Sequence, residues 1–291
     1  METCILGISG KKQSGKSTLS NYIMGLWFEA LGICKEAKIT EKGELFVSDV
    51  FGTTESGIVD TGFNSPNKQA FAQEHVYPFI KIYSFADLLK QSICIDILGL
   101  DYEQCYGTDN QKQTLTHLKW EDMPCVVTEI LPEVDEQDYE EIAGRIGPYY
   151  KELLDGTIYH KKGNMTGREV MQFVGTEVFR KMYDNVWVDS TIKRIKLDSP
   201  CMALICDVRF ENEANGILSN GGKLIRLTRD INNGKDQHAS ETGLDNYTSF
   251  SCLIDNQDKS IYDTHQLAHE YLKGCGWTPH KVPEQLYGEN K

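Results

Sequence analysis

The chain has 291 residues, a formal net charge of −13, 40% hydrophobic residues and 25% charged residues. It is long enough to bury a sizeable core, and its composition is that of an ordinary globular protein. The acidic balance excludes a sequence-independent binder of polymeric nucleic acid, which needs a basic surface, while a local group of Lys and Arg still suits a small anion.

In chain order, Cys4-Ile5-Leu6-Gly7-Ile8-Ser9 predicts a short buried strand. Gly10-Lys11-Lys12-Gln13-Ser14-Gly15-Lys16-Ser17 follows and fits the phosphate-loop pattern G-x-x-x-x-G-K-[S/T]. A helix comes next, with Leu19, Tyr22, Ile23, Leu26, Trp27, Ala30 and Leu31 on one face and Gly32 at its end. Backbone N–H groups at a helix start attract anions, and glycines let the main chain wrap a phosphate. Lys16 supplies a point charge for terminal phosphates, and the Ser17 hydroxyl suits Mg²⁺. A Gly-, Lys- and Ser-rich surface turn is the plainer alternative.

Residues from about 35 to 80 read as an insertion, with one hairpin arm over Gly43–Phe51 and a turn-rich stretch over Gly52–Gly57. Phe79–Tyr83 is the next core strand, leading into Ser84–Lys90 and a helix that ends near Gly99. A second insertion spans about 107–165, where Glu129 to Glu141 is a strongly acidic run of solvated surface. Thr166-Gly-Arg-Glu169 is a capping box that opens a helix to about Tyr183, and another helix covers about 186–196. Met202–Cys206 is an apolar strand ending in Asp207. A helix to about Ser219, the strand Lys223–Thr228, the strand Cys252–Ile254 and a helix to about Lys273 complete the pattern. Strands alternating with helices imply an α/β fold, a mostly parallel sheet with helices on both faces. One domain over residues 1–277 with the two insertions, and a polar tail over 278–291, is the expected organisation.

The nine cysteines show no C-x-x-C pair and no zinc spacing, and most sit in apolar runs, as Cys4, Cys94, Cys201 and Cys206 do. They read as reduced, mostly buried thiols. No apolar run is long enough for a membrane span and no signal-peptide pattern opens the chain, so a soluble cytoplasmic protein is expected.

Three constellations carry chemistry. Arg168, Gln172, Thr176 and Arg180 are spaced four apart and share a helix face free of carboxylates. Arg suits a phosphate and an amide reads a base edge, although an exposed polar face looks the same. Asp207 ends a strand, where ligands of open α/β sheets sit, with Arg209 and Glu213 after it. It suits Mg²⁺ held through water or a sugar hydroxyl, unless it merely caps the next helix. Arg229 to Glu241 is a polar loop with Lys235, His238 and Ser240, either a cover over a transferring phosphoryl group or plain surface.

These segments together resemble the phage-type deoxynucleoside monophosphate kinases of the P-loop kinase superfamily. The resemblance rests on Gly10–Thr18, Phe85-Ala-Asp-Leu-Leu-Lys90, Arg168–Thr176 with Trp187, Asp207-Val-Arg209 with Glu213, His238–Asp245, and Ile254-Asp-Asn256. It implies a P-loop kinase fold, with Gln13, Ser14, Gly15, Lys16, Ser17 and Thr18 around the phosphates of ATP and Ser17 on Mg²⁺. It also implies that Lys12, Asp87, Lys90, Arg168, Gln172, Gly175, Thr176, Trp187, Asp207, Arg209, Glu213 and Glu241 surround a deoxynucleoside monophosphate. Lys16, Arg168, Asp207 and Arg209 would carry catalysis. A homodimer, and a host cytoplasm if the chain is phage-encoded, come with the same resemblance.

Two departures stand out: related kinases often have Asp where Ser17 stands, and both insertions are longer than a compact member needs. Animal phosphomevalonate kinases look similar in the same places, including Ser240–Asp245. A nucleotide-binding regulatory module without turnover is the alternative from another class.

Overall fold

The computed structural model describes residues 3–52, 54–59, 66–128, 151–152, 158–160, 162–229 and 242–279. The chain forms two compact units, one of Met1–Phe85 with Trp187–Lys291 and one of Ala86–Val186.

The first unit is built on five parallel strands, β1 (Cys4–Gly10), β2 (Ile80–Tyr83), β3 (Met202–Val208), β4 (Lys223–Leu227) and β5 (Cys252–Ile254). Their spatial order is β5-β4-β1-β3-β2. The inner strands are continuous apolar runs because both faces are covered by helices. Leu6 and Ile8 of β1, Met202–Ile205 of β3 and Leu224 and Ile225 of β4 are fully buried. From β1 the chain skips one position to the edge strand β2, returns to β3 beside β1, and then crosses to β4 and β5 on the other side, so the order reverses beside β1. Ligands of open α/β sheets lie at that reversal, beyond the carboxyl ends of the strands.

The helix Lys16–Ala30 leaves the end of β1. Leu19, Ile23 and Leu31 are buried as its pattern predicts, and Met24, Gly25 and Phe28 are buried as well. Tyr22, Leu26, Trp27 and Ala30 are half-buried. The apolar face is wider than the periodicity suggests because two layers cover this helix. The central sheet takes one side, and a small antiparallel sheet of Glu36–Ile39, Leu45–Ser48 and Gly57–Val59 takes another. Gly25 makes the second contact: a Cβ there would stand 3.0 Å from Leu45 Cδ1 and 3.1 Å from Ala37 Cβ. Tyr22 also stacks on His265 of the helix Ile261–Gly274, with ring centroids 4.4 Å apart. Burial lowers the His265 imidazole to about 4.

In the second unit, the helix Leu88–Ile97 closes its turns five residues apart, as in Leu98 N–H to Ile93 O at 2.9 Å, and Gly99 ends it at φ +71°. Short helices over Tyr102–Tyr106 and Asp109–Lys112 follow, then a strand Leu115–Lys119 paired antiparallel with Asn164–Thr166. The capping box forms as the sequence predicts: Glu169 N–H donates to Thr166 Oγ1 at 3.2 Å and Thr166 N–H donates to Glu169 Oε2 at 2.7 Å. The helix runs as an ordinary α-helix over Gly167–Gln172 and in wider five-residue turns over Phe173–Arg180. Trp120 fills the core beneath it, stacked on His160 at 3.9 Å and edge-on to Phe173 at 5.7 Å.

Candidate functional site

The phosphate-loop sequence sits between β1 and the helix Lys16–Ala30, the strand–turn–helix context its chemistry requires. Two glycines are dictated by geometry. Gly10 has φ +155°, and a Cβ there would run into the Ser14 hydroxyl and lie 2.9 Å from the Leu227 carbonyl. Gly15, the residue before the helix, has φ +100°. Gln13 holds the left-handed region at φ +61° without being glycine, a local strain of the kind that gathers at functional sites.

Lys16 arches back over the loop. Its ammonium donates to the carbonyls of Gly10 at 2.6 Å and Lys11 at 2.7 Å, which places the positive charge in the loop. The Ser14 hydroxyl is buried and has no hydrogen-bond partner among the described residues. Such an atom calls for an explanation, and a ligand oxygen supplies one. The Ser17 hydroxyl is exposed, and Thr18 lies against Gly43, where a Cβ would strike its hydroxyl. Among the described residues no three His, Cys, Asp or Glu side chains gather to hold a metal ion. One hydroxyl without a carboxylate cage fits Mg²⁺ that arrives on a nucleotide and keeps most of its waters.

The loop has a support that the sequence pattern did not assign. Asn256, just beyond β5 and 5% exposed, donates from Nδ2 to the Ser14 carbonyl at 2.9 Å and accepts the Arg229 N–H on Oδ1 at 3.0 Å. A second brace runs through Arg226 of β4, which donates to Ser9 Oγ and to Asp245, each at 2.9 Å. The other Asp245 oxygen lies 3.9 Å from the Lys11 ammonium. Ile254-Asp-Asn256 belongs to the resemblance, but no local pattern links Asn256 to a loop 242 residues away.

Asp207 sits at the carboxyl end of β3. The register slips there: Gly7 faces Ile205 and Ser9 faces Val208, so three steps along β3 match two along β1. A bulge of this kind re-aims side chains. The Asp207 carboxylate accepts Ser84 Oγ at 2.5 Å and Phe85 N–H at 3.2 Å. It does not cap the next helix. Glu213 performs that task, 3% exposed, accepting Arg209 N–H at 2.8 Å and Phe210 N–H at 3.1 Å. Glu213 therefore shapes the backbone that carries Arg209, whose side chain is exposed. Lys12 is exposed on the loop, and Trp187 is buried at the start of the helix Val186–Asp198.

The remaining predicted residues lie in the second unit. Asp87 and Lys90 stand at the start of the helix Leu88–Ile97, both half-buried, with the Lys90 ammonium 5.0 Å above the Tyr106 ring. Arg168 pairs with Asp109 at 2.6 Å. Gln172 and Thr176 are exposed and Arg180 is half-buried. The four-residue stripe is interrupted because the turns widen after Gln172. Gly175 is a packing glycine, since a Cβ would lie 2.7 Å from Leu89 Cδ2. Phe85 and Phe173 are buried in core positions. Lys235, His238, Ser240 and Glu241, the acidic run Glu129–Glu141 and the tail from residue 280 onward lie outside the described residues.

A sequence model of the deoxynucleotide monophosphate kinase family matches residues 89–265, more than half of the chain. That span holds Lys90, Arg168, Asp207 and Arg209, and the phosphate loop precedes it. A protein of Acanthamoeba polyphaga mimivirus that bears, provisionally, the name deoxynucleotide monophosphate kinase is 27% identical over 188 residues, covering 60% of this chain and 73% of the viral one.

Proposed function

The chain belongs to the deoxynucleotide monophosphate kinase family, a family of phosphotransferases, and from that premise we propose that it moves the γ-phosphoryl group of ATP onto a deoxynucleoside monophosphate, giving ADP and the deoxynucleoside diphosphate. The observation that carries this reading is the loop Gly10–Ser17, with its two positive-φ glycines, its inward-held Lys16 and its orphaned Ser14 hydroxyl.

In this reading the backbone amides of Gln13 to Thr18 and the Lys16 ammonium bind the donor phosphates. Lys16 exchanges the Gly10 and Lys11 carbonyls for phosphate oxygens, so it is already placed before the donor arrives. Ser17 offers a hydroxyl ligand to Mg²⁺. When bound, Mg²⁺ supplies neutralisation of charge on the donor phosphates. Lys12, Asp87, Lys90, Arg168, Gln172, Thr176, Trp187, Asp207, Arg209 and Glu241 receive the acceptor, while Gly175 packs on Leu89 and Glu213 holds the Arg209 and Phe210 amides. Asp207, fixed by Ser84 and Phe85, suits a sugar hydroxyl or a metal-bound water. No covalent intermediate on the protein is required. An oxygen of the acceptor phosphate attacks the γ-phosphorus, the bond to the β-bridging oxygen breaks, and the cations offset the charge that develops.

The test is one ATP-coupled assay run with the four deoxynucleoside monophosphates and with phosphomevalonate. Turnover of one or more nucleotides with little on phosphomevalonate is the expected result. A preference for phosphomevalonate overturns the acceptor assignment and leaves the donor site standing, and ATP binding without turnover on any acceptor returns the chain to a regulatory role.

A further inference from the structure

The second unit gathers three cations around one carboxylate. Thr108 caps the one-turn helix Asp109–Lys112, its Oγ1 accepting Gln111 N–H at 3.3 Å and its own N–H donating to Gln111 Oε1 at 2.8 Å. The Asp109–Arg168 pair at 2.6 Å joins this turn to the helix that begins at Gly167. Gly167 lets the helix Tyr102–Tyr106 approach closely, because a Cβ would lie 2.6 Å from the Gln104 carbonyl. That helix carries Tyr106, stacked on Tyr102 with centroids 4.9 Å apart and facing the Lys90 ammonium. Lys112 stands three residues after Asp109, on the same side of its turn.

The charges in this group do not balance. Among the described residues Asp109 is the carboxylate paired with any of the three cations, and it is 72% exposed. Arg168 Nε is a buried donor with no acceptor among those residues. Lys112 holds its proton less firmly than an ordinary lysine, first through burial and then through the fields of Lys90 and Arg168, with Asp109 and Cys105 acting the other way. Lys90 and Arg168 are therefore near enough for their charges to be felt at Lys112. Three positive charges against one negative leave an excess of two, which a phosphate monoester dianion offsets.

We propose that Lys112 is a third ligand of the acceptor's phosphate, acting with Lys90 and Arg168, and that Asp109 holds the Arg168 guanidinium in place until the acceptor arrives. This rests on the kinase reading above. The residue comes from the stretch 107–165 in which the sequence offered no assignment.

The experiment compares Lys112→Ala, Lys112→Gln and Lys112→Arg with the unaltered full-length protein, using its best deoxynucleoside monophosphate. Lys112→Ala and Lys112→Gln should raise the acceptor KM about ten- to a hundredfold, the loss expected of one charge-assisted contact, with the ATP KM within about twofold. Lys112→Arg should restore most of it. Independently, the monophosphate without ATP should shield Lys112 from an amine-reactive reagent read by peptide mass spectrometry, so the outcome stands even if Lys112→Ala fails to fold. An unchanged acceptor KM, or Lys112 labelling that stays constant while Lys90 becomes shielded, overturns the proposal alone. If the unaltered protein turns over no monophosphate, the kinase reading falls and the proposal goes with it.

Discussion

Asn256→Ala tests whether the phosphate loop is held from outside. Its Nδ2 fixes the Ser14 carbonyl at 2.9 Å. The peptide unit is planar and trans, so fixing that oxygen also fixes the Gly15 N–H on the opposite side of the same plane. Alanine removes two neutral hydrogen bonds from a site only 5% exposed and leaves the Ser14 carbonyl and the Arg229 amide short of partners. At about 1–2 kcal/mol for each bond with its unpaired group, the total is about 2–4 kcal/mol. For a chain of this size that is a fall in melting temperature of roughly 5–15 °C. If the freed peptide is part of the donor site, as proposed, the ATP KM should rise about tenfold or more while the acceptor KM changes little. Asn256→Asp keeps the acceptor for Arg229 but sets a carboxylate against the Ser14 carbonyl. It should recover some of the melting temperature and none of the ATP affinity. Melting curves with ATP titration, and steady-state kinetics at a temperature where each variant is folded, read both effects. Normal ATP binding by a folded Asn256→Ala protein would refute the reasoning and leave Asn256 as a packing residue.

Lys16→Ala should abolish most phosphoryl transfer, because its ammonium is held in the loop 2.6 Å and 2.7 Å from two loop carbonyls, whereas Lys12 is exposed and the Lys11 ammonium lies beside Asp245; wild-type turnover in a coupled assay would remove the loop from the donor site. Ser17→Ala should weaken the response to Mg²⁺ more than ATP binding, seen as a shifted Mg²⁺ activation curve. Arg168→Ala should cost about 1.5–3 kcal/mol in acceptor kcat/KM while sparing ATP affinity, and an equal loss for both substrates would indicate a folding defect. For His265 the folded state binds its proton only near pH 4, whereas the unfolded chain binds one near 6.5. The unfolded state is therefore favoured as pH falls from about 6.5 to about 4, and stability should decline across that window, by at most about 3 kcal/mol from this group. Denaturant melts of the wild type and His265→Gln at pH 7 and pH 5 check the sign: the stability lost on acidification should be smaller in the variant.

The alternation of strand and helix, the strand–turn–helix around Gly10–Ser17 and the Thr166–Glu169 capping box were legible because each is set by neighbours in sequence. What escaped depends on distance or on departures from ideal geometry. The stripe Arg168-Gln172-Thr176-Arg180 assumes 3.6 residues per turn, and the turns widen after Gln172. Gly175 reads as a ligand contact by resemblance and packs on Leu89, while Glu213 reads as a ligand and holds two backbone amides. Gly25 of the first helix is buried where a second sheet packs on it through Ala37 and Leu45, which periodicity on one helix does not reveal. Asn256 and Lys112 had no local signal. One acts on a peptide 242 residues away, and the other ends a single helical turn whose importance comes from the charges packed beside it.

The strand order has a consequence for synthesis on the ribosome. β1 emerges first, yet both of its neighbours, β3 and β4, begin only at residues 202 and 223. At about 5–20 residues per second, the first strand waits roughly 10–40 s before either flank exists. The hairpin strands at 36–59 pair within that interval, since their partners are close in sequence. A chain cut short before residue 202 would leave the apolar β1 without a place to pair, and Ser14 without the amide of Asn256. Nascent and truncated forms should therefore be prone to stick to one another or to chaperones, and on the proposed donor site they should hold no ATP until the last strand is released.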